Sequence, residues 1–348
     1  MKEFGSDFHS IGLSYDTGVV DFTHIIGNAY YLADGRQGLS LIIIQEGWKR
    51  LWVPEYFCYE IIESIAKRTN IELMFYLDFP GNDNYEIYKH LPYKEGDALL
   101  RMNFFGLSDN SRMVTLPIPV VEDHSHDLLG RWALFSEADW CFASLRKSLP
   151  LAEGGVVWSP KRNTLDLKID STMKNEMLAA HRWKAMEMKS EYLVTEQPSP
   201  ALKDTFRKLY LATENELDTL DYSLIDQQSM AVLREMDINA WYNQKKRNWK
   251  RLTSALSDGI DYLIPTNDSC TPFSLVLRTA NKEQREGVRC GLIKNSVYPA
   301  VLWNLPKSVS IEAMNVSHRL LSVHCDGRYS EDDMEKLAFI INNVYQGL

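Results

Sequence analysis

Val120-Val121-Glu122-Asp123-His124-Ser125-His126-Asp127 and, a little further on, Trp140-Cys141-Phe142-Ala143-Ser144-Leu145-Arg146-Lys147-Ser148-Leu149-Pro150-Leu151-Ala152-Glu153-Gly154-Gly155-Val156-Val157 form the stretch from which the fold is read. Asp123 closes an apolar run, Pro117 to Val121, with the composition of a buried strand. Twenty-four positions on, Lys147 follows a second such run, Trp140 to Ala143, and Glu153-Gly154-Gly155 turns the chain into a third, Val156 to Trp158. An acid and a lysine therefore sit at the ends of two strands. In open α/β sheets, ligands bind outside the carboxyl ends of the strands.

That pair matches the needs of pyridoxal phosphate (PLP) chemistry. A lysine amine forms a Schiff base with the cofactor's aldehyde, and a carboxylate keeps the pyridine nitrogen protonated so that the ring acts as an electron sink. As two bare residues they read equally as a solvated acid and a loop or helix-capping lysine. The whole string says more. Asp123-x-x-His126, then Lys147-x5-Glu153-Gly154-Gly155, resembles the DegT/DnrJ family of PLP-dependent aminotransferases, in a divergent branch. The resemblance implies an α/β chain of fold type I, with a mostly parallel, seven-stranded-type sheet flanked by helices and a small α+β C-terminal domain. It also implies PLP as the cofactor and no metal.

The composition is that of a soluble globular chain: 348 residues, 45% hydrophobic and 24% charged. A net charge of -9 argues against nucleic-acid or anionic-membrane partners, so a small anionic ligand requires a local positive site. Five cysteines without a C-x-x-C pair fit a reducing compartment better than a disulfide framework or a zinc site. The first residues lack the apolar core of a signal peptide, and no run approaches the ~18 apolar residues of a membrane span. The expected location is the cytoplasm.

Upstream, residues 1–24 read as an N-terminal arm with Phe4, Phe8 and Ile11 as anchors, and Thr23 to Tyr31 carries a helix-like pattern. Asp34-Gly35-Arg36-Gln37-Gly38-Leu39 reads as a glycine turn opening a helix, whose free N–H groups suit a phosphate. Strand-like runs follow at 51–54, 71–76 and 98–102, alternating with helical segments as in a parallel sheet with crossover helices. Residues 163–236 turn helical and charged, and a long helix is expected over 238–256. The boundary is placed near 236, giving a large cofactor-binding domain over 25–236 and a small α+β domain over 237–348. The small domain is expected to have strands at 273–277 and 320–324 and helices at 282–294 and 330–345.

The resemblance also distributes roles. Asp123 pairs with the pyridine nitrogen, His126 lies beside the ring hydroxyl, and Lys147 is both Schiff-base partner and proton shuttle. Gly35, Arg36 and Gln37 grip the phosphate through backbone amides. Phe142 stands where the family carries a phosphate-binding Ser, so that role passes to Ser144. Arg146 either depresses the lysine pKa or holds phosphate. Cys58 stands where an aromatic lies flat on the ring, leaving Tyr56 or Tyr59 to supply it; the plain alternative for these rings is core packing. Substrate contacts fall to Tyr59, Asn103, Trp303 and Arg328. Arg328 has two open readings, a clamp on a substrate carboxylate or a structural residue ahead of a helix capped by Ser330 and Asp333.

The expected activity is transfer of an amino group from a glutamate-like donor to a keto acceptor, a nucleotide-linked keto-sugar by resemblance, in a homodimer with shared active sites. A PLP-dependent lyase or dehydratase on the same scaffold, and a binding or regulatory homologue without turnover, are the alternatives.

Overall fold

The structure is a computed structural model, and it describes residues 3–12, 26, 28–82, 85–109, 115–166, 168–197, 199–217 and 219–347. Parts of the N-terminal arm and of the helix expected from Thr23 lie outside the described residues.

After a short strand β1 (Phe4–Gly5), the chain enters β2 (Ala29–Leu32), α1 (Gly35–Glu46), β3 (Arg50–Pro54), α2 (Tyr59–Thr69), β4 (Glu72–Tyr76) and β5 (Asp97–Met102). The central stretch then supplies β6 (Val120–Asp123), β7 (Trp140–Ser144) and β8 (Gly155–Trp158). These strands form a seven-stranded sheet in the order β2-β8-β7-β6-β5-β3-β4. Only β8 runs against its neighbours. The inner parallel strands β3, β5, β6 and β7 are buried on both faces, as their apolar runs require, whereas the edge strand β4 is only partly buried. The architecture expected for the sheet is present.

Two local expectations are corrected. Ala29–Leu32 is a strand, because Tyr30 and Tyr31 pair across the ladder with Val157 and Val156. β-branched and aromatic partners on a pleated surface outweigh the weak helical spacing. The strand expected from Pro117 begins only at Val120. Pro117 and Pro119 have no N–H to give a ladder, so pairing starts after them.

Helices α3 (Met173–Val194), α4 (Pro200–Leu217) and α5 (Gln227–Glu235) follow, then the long α6 (Ile238–Ser254). The C-terminal part contains β9 (Leu275–Arg278), α7 (Lys282–Lys294), β10 (Val297–Tyr298), α8 (Ile311–Arg319), β11 (Leu320–Val323) and α9 (Glu331–Gln346). β9 and β11 pair antiparallel. Their inner faces join Leu252, Val288, Leu337 and Ile341 in an apolar cluster of its own. Ser330 and Asp333 form a reciprocal capping box at the start of α9, as their spacing predicts. The arm is fastened to this region, since β1 pairs parallel with β10 and Phe4 joins the same cluster. No helix among the described residues is long and apolar enough to cross a membrane.

Two glycines set how close the elements that build the site can come. A Cβ on Gly155 would lie 2.2 Å from the carbonyl carbon of Asp34, and one on Gly35 would lie 3.0 Å from the Ser144 nitrogen. Without side chains there, the start of α1 rests directly on the ends of β7 and β8.

Candidate active site

Asp123 is the last residue of β6 and Lys147 lies in a single helical turn, Leu145–Ser148, just past β7. The two strand ends are stitched together through Ser125. Asp123 Oδ1 accepts the Ser125 amide at 2.8 Å, and Ser125 Oγ accepts the Ser144 amide at 2.8 Å. Ser148 Oγ donates to the Ser125 carbonyl at 2.7 Å. Shifting either turn therefore breaks bonds to the other.

Three connected recesses meet at Lys147, which lines all of them together with Arg146 and Trp303. A narrow slot runs between the start of α1 and the β6 and β7 ends, bordered by Gly35, Asp123, Ser125 and Ser144. An inner cavity of about 200 Å³ reaches His126, Phe273 and His324. An outer cavity of about 630 Å³ opens past Arg36, Cys58 and Glu214. The Lys147 ammonium lies 5.9 Å from the centre of the Trp303 ring.

His126 is buried among rings. Phe273 lies 4.4 Å away centre to centre, and Trp303 5.8 Å away with a 17° interplanar angle. Its Nδ1 accepts the Phe105 amide at 3.0 Å, so in the neutral imidazole Nε2 carries the proton. Burial, then the charges of Lys147 and Lys245, holds its pKa well below the usual range. His126 is therefore a fixed neutral donor.

The start of α1 is already engaged. Asp34 caps it, with Oδ1 accepting the Gln37 amide at 2.8 Å, and burial raises the Asp34 pKa. The Gln37 side chain donates to the Asp221 carbonyl and accepts the Ser223 amide. Gln37 thus anchors the 221–223 segment, and the amides left facing the slot belong to Gly35 and Arg36. Ser144 lines the slot, and so does the Phe142 ring. The connection from Ser144 to Lys147 is one short turn, which brings the Ser144 backbone against Gly35.

Several expected contacts fall elsewhere. Tyr56 is a core residue bonding the Leu302 carbonyl through its hydroxyl, and Tyr59 stacks on Phe75 at 5.2 Å. Neither lines the three recesses, whereas Cys58 lines the slot and the outer cavity. Asn103 is buried and accepts the Ser108 amide, outside the recesses. Arg328 forms a buried two-point ion pair with Asp326 at 2.9 and 2.8 Å and lies 4.3 Å over the Phe8 ring. Its fork is filled from within the chain.

Trp303, expected as a substrate contact, walls all three recesses, from a segment that lies beyond the end of β10 at Tyr298. Other residues enter that sequence reading did not pick out. Ser6, Asp7 and Phe8 of the arm close the inner cavity, held by Tyr210 through the Phe8 carbonyl at 2.6 Å and by Arg328 through the Asp7 carbonyl at 3.0 Å. Glu214 on α4 accepts from Arg146 at 2.7 Å and Arg36 at 3.1 Å. Nothing in the charged sequence of α4 distinguishes it from a solvated face.

On the opposite side of β6, Glu122, His124 and Cys141 converge within 4.8 Å. The Glu122 carboxylate is held by Arg101 at 2.9 Å and Ser136 at 2.6 Å. A guanidinium bound to the central carboxylate opposes a cation there, and the cluster reads as a buried polar network.

No family profile and no curated protein matches the chain. Solved structures do. The Spr1654 protein of Streptococcus pneumoniae, assigned as a sugar aminotransferase, superposes in its PMP form with a TM-score of 0.63 at 13% identity, covering 92% of this chain and 88% of its own. The aminotransferase TlmJ of Streptoalloteichus hindustanus gives 0.59 at 13% identity, covering 94% and 89%. 3-Amino-5-hydroxybenzoic acid synthase gives 0.58 at 15% identity, covering 94% and 89%. The chain therefore has the fold of the fold-type I aminotransferases. Over nearly its whole length it is similar to the sugar-aminotransferase group of that fold.

Proposed function

We propose that the chain is a PLP-dependent aminotransferase. The observation that carries this reading is that Asp123 and Lys147 line one narrow slot beneath a glycine-opened helix start, while His126 lines the adjoining inner cavity that Lys147 also borders. The residues fit the cofactor. The close approach at Gly35 leaves backbone for a phosphate, with Ser144 beside it. Asp123 would hold a pyridine nitrogen protonated, and His126 Nε2 would donate to a ring hydroxyl. Trp303 offers the aromatic wall that Tyr56 and Tyr59 do not.

When bound, PLP supplies an electron sink for the substrate's α-carbon. Lys147 Nζ would hold the cofactor covalently and, as a free amine, would be the base that carries the proton at the substrate's α-carbon. The ring-lined inner cavity would limit the access of water to that carbon. The proposed donor is a glutamate-like amino acid and the acceptor a keto compound, with a nucleotide-linked keto-sugar the class favoured by the similar structures. A cytoplasmic homodimer whose sites share the interface completes the proposal.

The test is spectroscopic. The protein mixed with PLP is expected to absorb near ~420 nm, to be trapped by borohydride at Lys147, and to lose the band on adding glutamate. Lys147→Ala should give no trapped adduct. A wild-type protein without a trappable band overturns the reading.

A further inference from the structure

The inner cavity has a second imidazole that the proposed chemistry leaves unused. His324 follows the end of β11 and lines this cavity together with Lys147, Trp303 and His126. Its side chain keeps 17% exposure, and neither ring nitrogen makes a hydrogen bond to another described residue. Phe273 meets the ring edge-on at 5.8 Å and stacks its face on His126.

The two imidazoles have opposite hydrogen-bonding polarity. His126 receives an amide at Nδ1, so its Nε2 carries the proton. In His324 it is Nδ1 that faces a carboxylate, Asp326 Oδ2, at 3.7 Å. That carboxylate is bound by Arg328 at both oxygens. Burial alone would raise the Asp326 pKa, yet the Arg328 guanidinium holds it well below the usual carboxylate range, so Asp326 stays ionised. A negative charge on the Nδ1 side favours the tautomer with the proton there, which leaves Nε2, across the ring, as an acceptor. Burial pushes the His324 pKa down to about 4; Asp326 works against that shift, and Arg328, Lys189 and Lys245 work with it. The ring is therefore neutral near pH 7.

Such an acceptor discriminates among substrates. A neutral imidazole nitrogen takes a hydrogen bond from a hydroxyl, and it offers nothing to a methyl or to a carboxylate, whose oxygens are acceptors themselves. The inner cavity of about 200 Å³ has room for roughly seven water molecules at ~30 Å³ each. Any group that reaches His324 there lies within a few bonds of the carbon beside Lys147.

Building on the aminotransferase reading, we propose that His324 is a specificity-determining residue whose Nε2 accepts a hydrogen bond from a hydroxyl of the keto acceptor, close to its reacting carbon, so that hydroxylated ketones are selected over their deoxy counterparts. Asp326 orients the ring, and Arg328 fixes Asp326. An acceptor without that hydroxyl leaves Nε2 facing it unpaired.

The experiment compares two ketones with equal numbers of non-hydrogen atoms, hydroxyacetone and butanone. PLP-loaded protein is first converted by glutamate, which is then removed, and the return of the ~420 nm band is timed after each ketone is added. The ratio of the two rates is formed within each protein, so a general loss of activity cancels. His324→Phe is expected to lower the ratio about tenfold, and His324→Gln, which keeps an acceptor oxygen, to retain most of it. A second readout needs no turnover and no variant. In protein with isotope-labelled histidines, nitrogen NMR is expected to show an unprotonated His324 Nε2 whose signal moves on adding hydroxyacetone but not butanone. A ratio unchanged in His324→Phe, or a protonated Nε2 near pH 7, overturns the proposal. If PLP does not load, the NMR titration is run on the unloaded chain: a shift with hydroxyacetone alone sinks the cofactor reading and leaves the His324 site standing, and no shift sinks both. A loaded protein whose ratio ignores His324 sinks this proposal alone.

Discussion

Nδ1 of His126 accepts the backbone N–H of Phe105 at 3.0 Å, and this bond fixes both the tautomer and the tilt of the ring. Its consequence is a pH dependence. The native imidazole stays neutral below the pH at which an unfolded histidine takes up a proton, ~6.5. The unfolded state thus binds the extra proton first, and stability falls as pH drops below that value. His126→Gln, which cannot be protonated, should show a smaller loss of urea midpoint between pH 7.5 and pH 5 than the wild type. The slope that remains belongs in part to His324, whose pKa burial lowers to about 4. An unchanged slope would place the effect elsewhere.

Glu153 acts in the opposite direction. It is fully buried, accepts the Asp226 amide at 3.0 Å, and burial raises its pKa to about 8. Between about 4.5 and about 8 the unfolded state has released the proton that the native state keeps, so this group's stabilising contribution is lost as pH rises through that window. Replacing it by Gln, which retains an acceptor for the Asp226 amide, should flatten the alkaline decline. The expected gain at pH 8 is on the order of a few kcal/mol, read from chemical denaturation. A variant that is less stable at pH 8 than at pH 6 by the wild-type margin would contradict the assignment.

Trp303 is the aromatic that borders the slot and both cavities. Removing the ring in Trp303→Ala should weaken PLP binding about tenfold, in line with the ~0.5–1.5 kcal/mol of an aromatic contact plus lost burial. Trp303→Phe should recover most of it. An absorbance titration with PLP measures both, and equal affinities in the two variants would mean that the ring only fills space.

For Arg328 the two readings of the sequence now separate. Its pair with Asp326 is buried, with side chains 1% and 4% exposed. Arg328→Met removes the guanidinium from a buried carboxylate, leaving it the residue-328 amide, and is expected to cost ~3–5 kcal/mol of stability. Adding Asp326→Leu to it should restore much of the loss. A stable single variant with a raised KM for the carboxylate donor would instead make Arg328 a substrate contact.

How far the sequence carried the reading follows from where each residue's partners lie. Asp123 and Lys147 were legible because a strand end is marked locally, by an apolar run and the polar turn after it. The glycines at 35 and 155 were legible for the same reason. Trp303 was picked out only as a substrate contact, by resemblance; its position over His126 depends on how the C-terminal elements pack against the sheet. Glu214 looked like any acid on a charged helix, and only the convergence of Arg36, Arg146 and Arg182 from three other segments sets it apart. Ala29–Leu32 was misread because its strand character comes from β8, more than a hundred positions away.

The amide of Gly5 donates to the Tyr329 hydroxyl at 2.8 Å, across 324 positions of sequence. Translation produces the arm before any strand of the sheet, yet the arm's docking partners in β10 and at Tyr329 are made near the end. A nascent chain gains the anchors of the arm in two instalments: Lys189 and Tyr210 hold the Asp7 and Phe8 carbonyls from α3 and α4, and Arg328 adds its bond to Asp7 only later. The wall that the arm gives the inner cavity is therefore fully fastened only when Arg328 and β10 have been made.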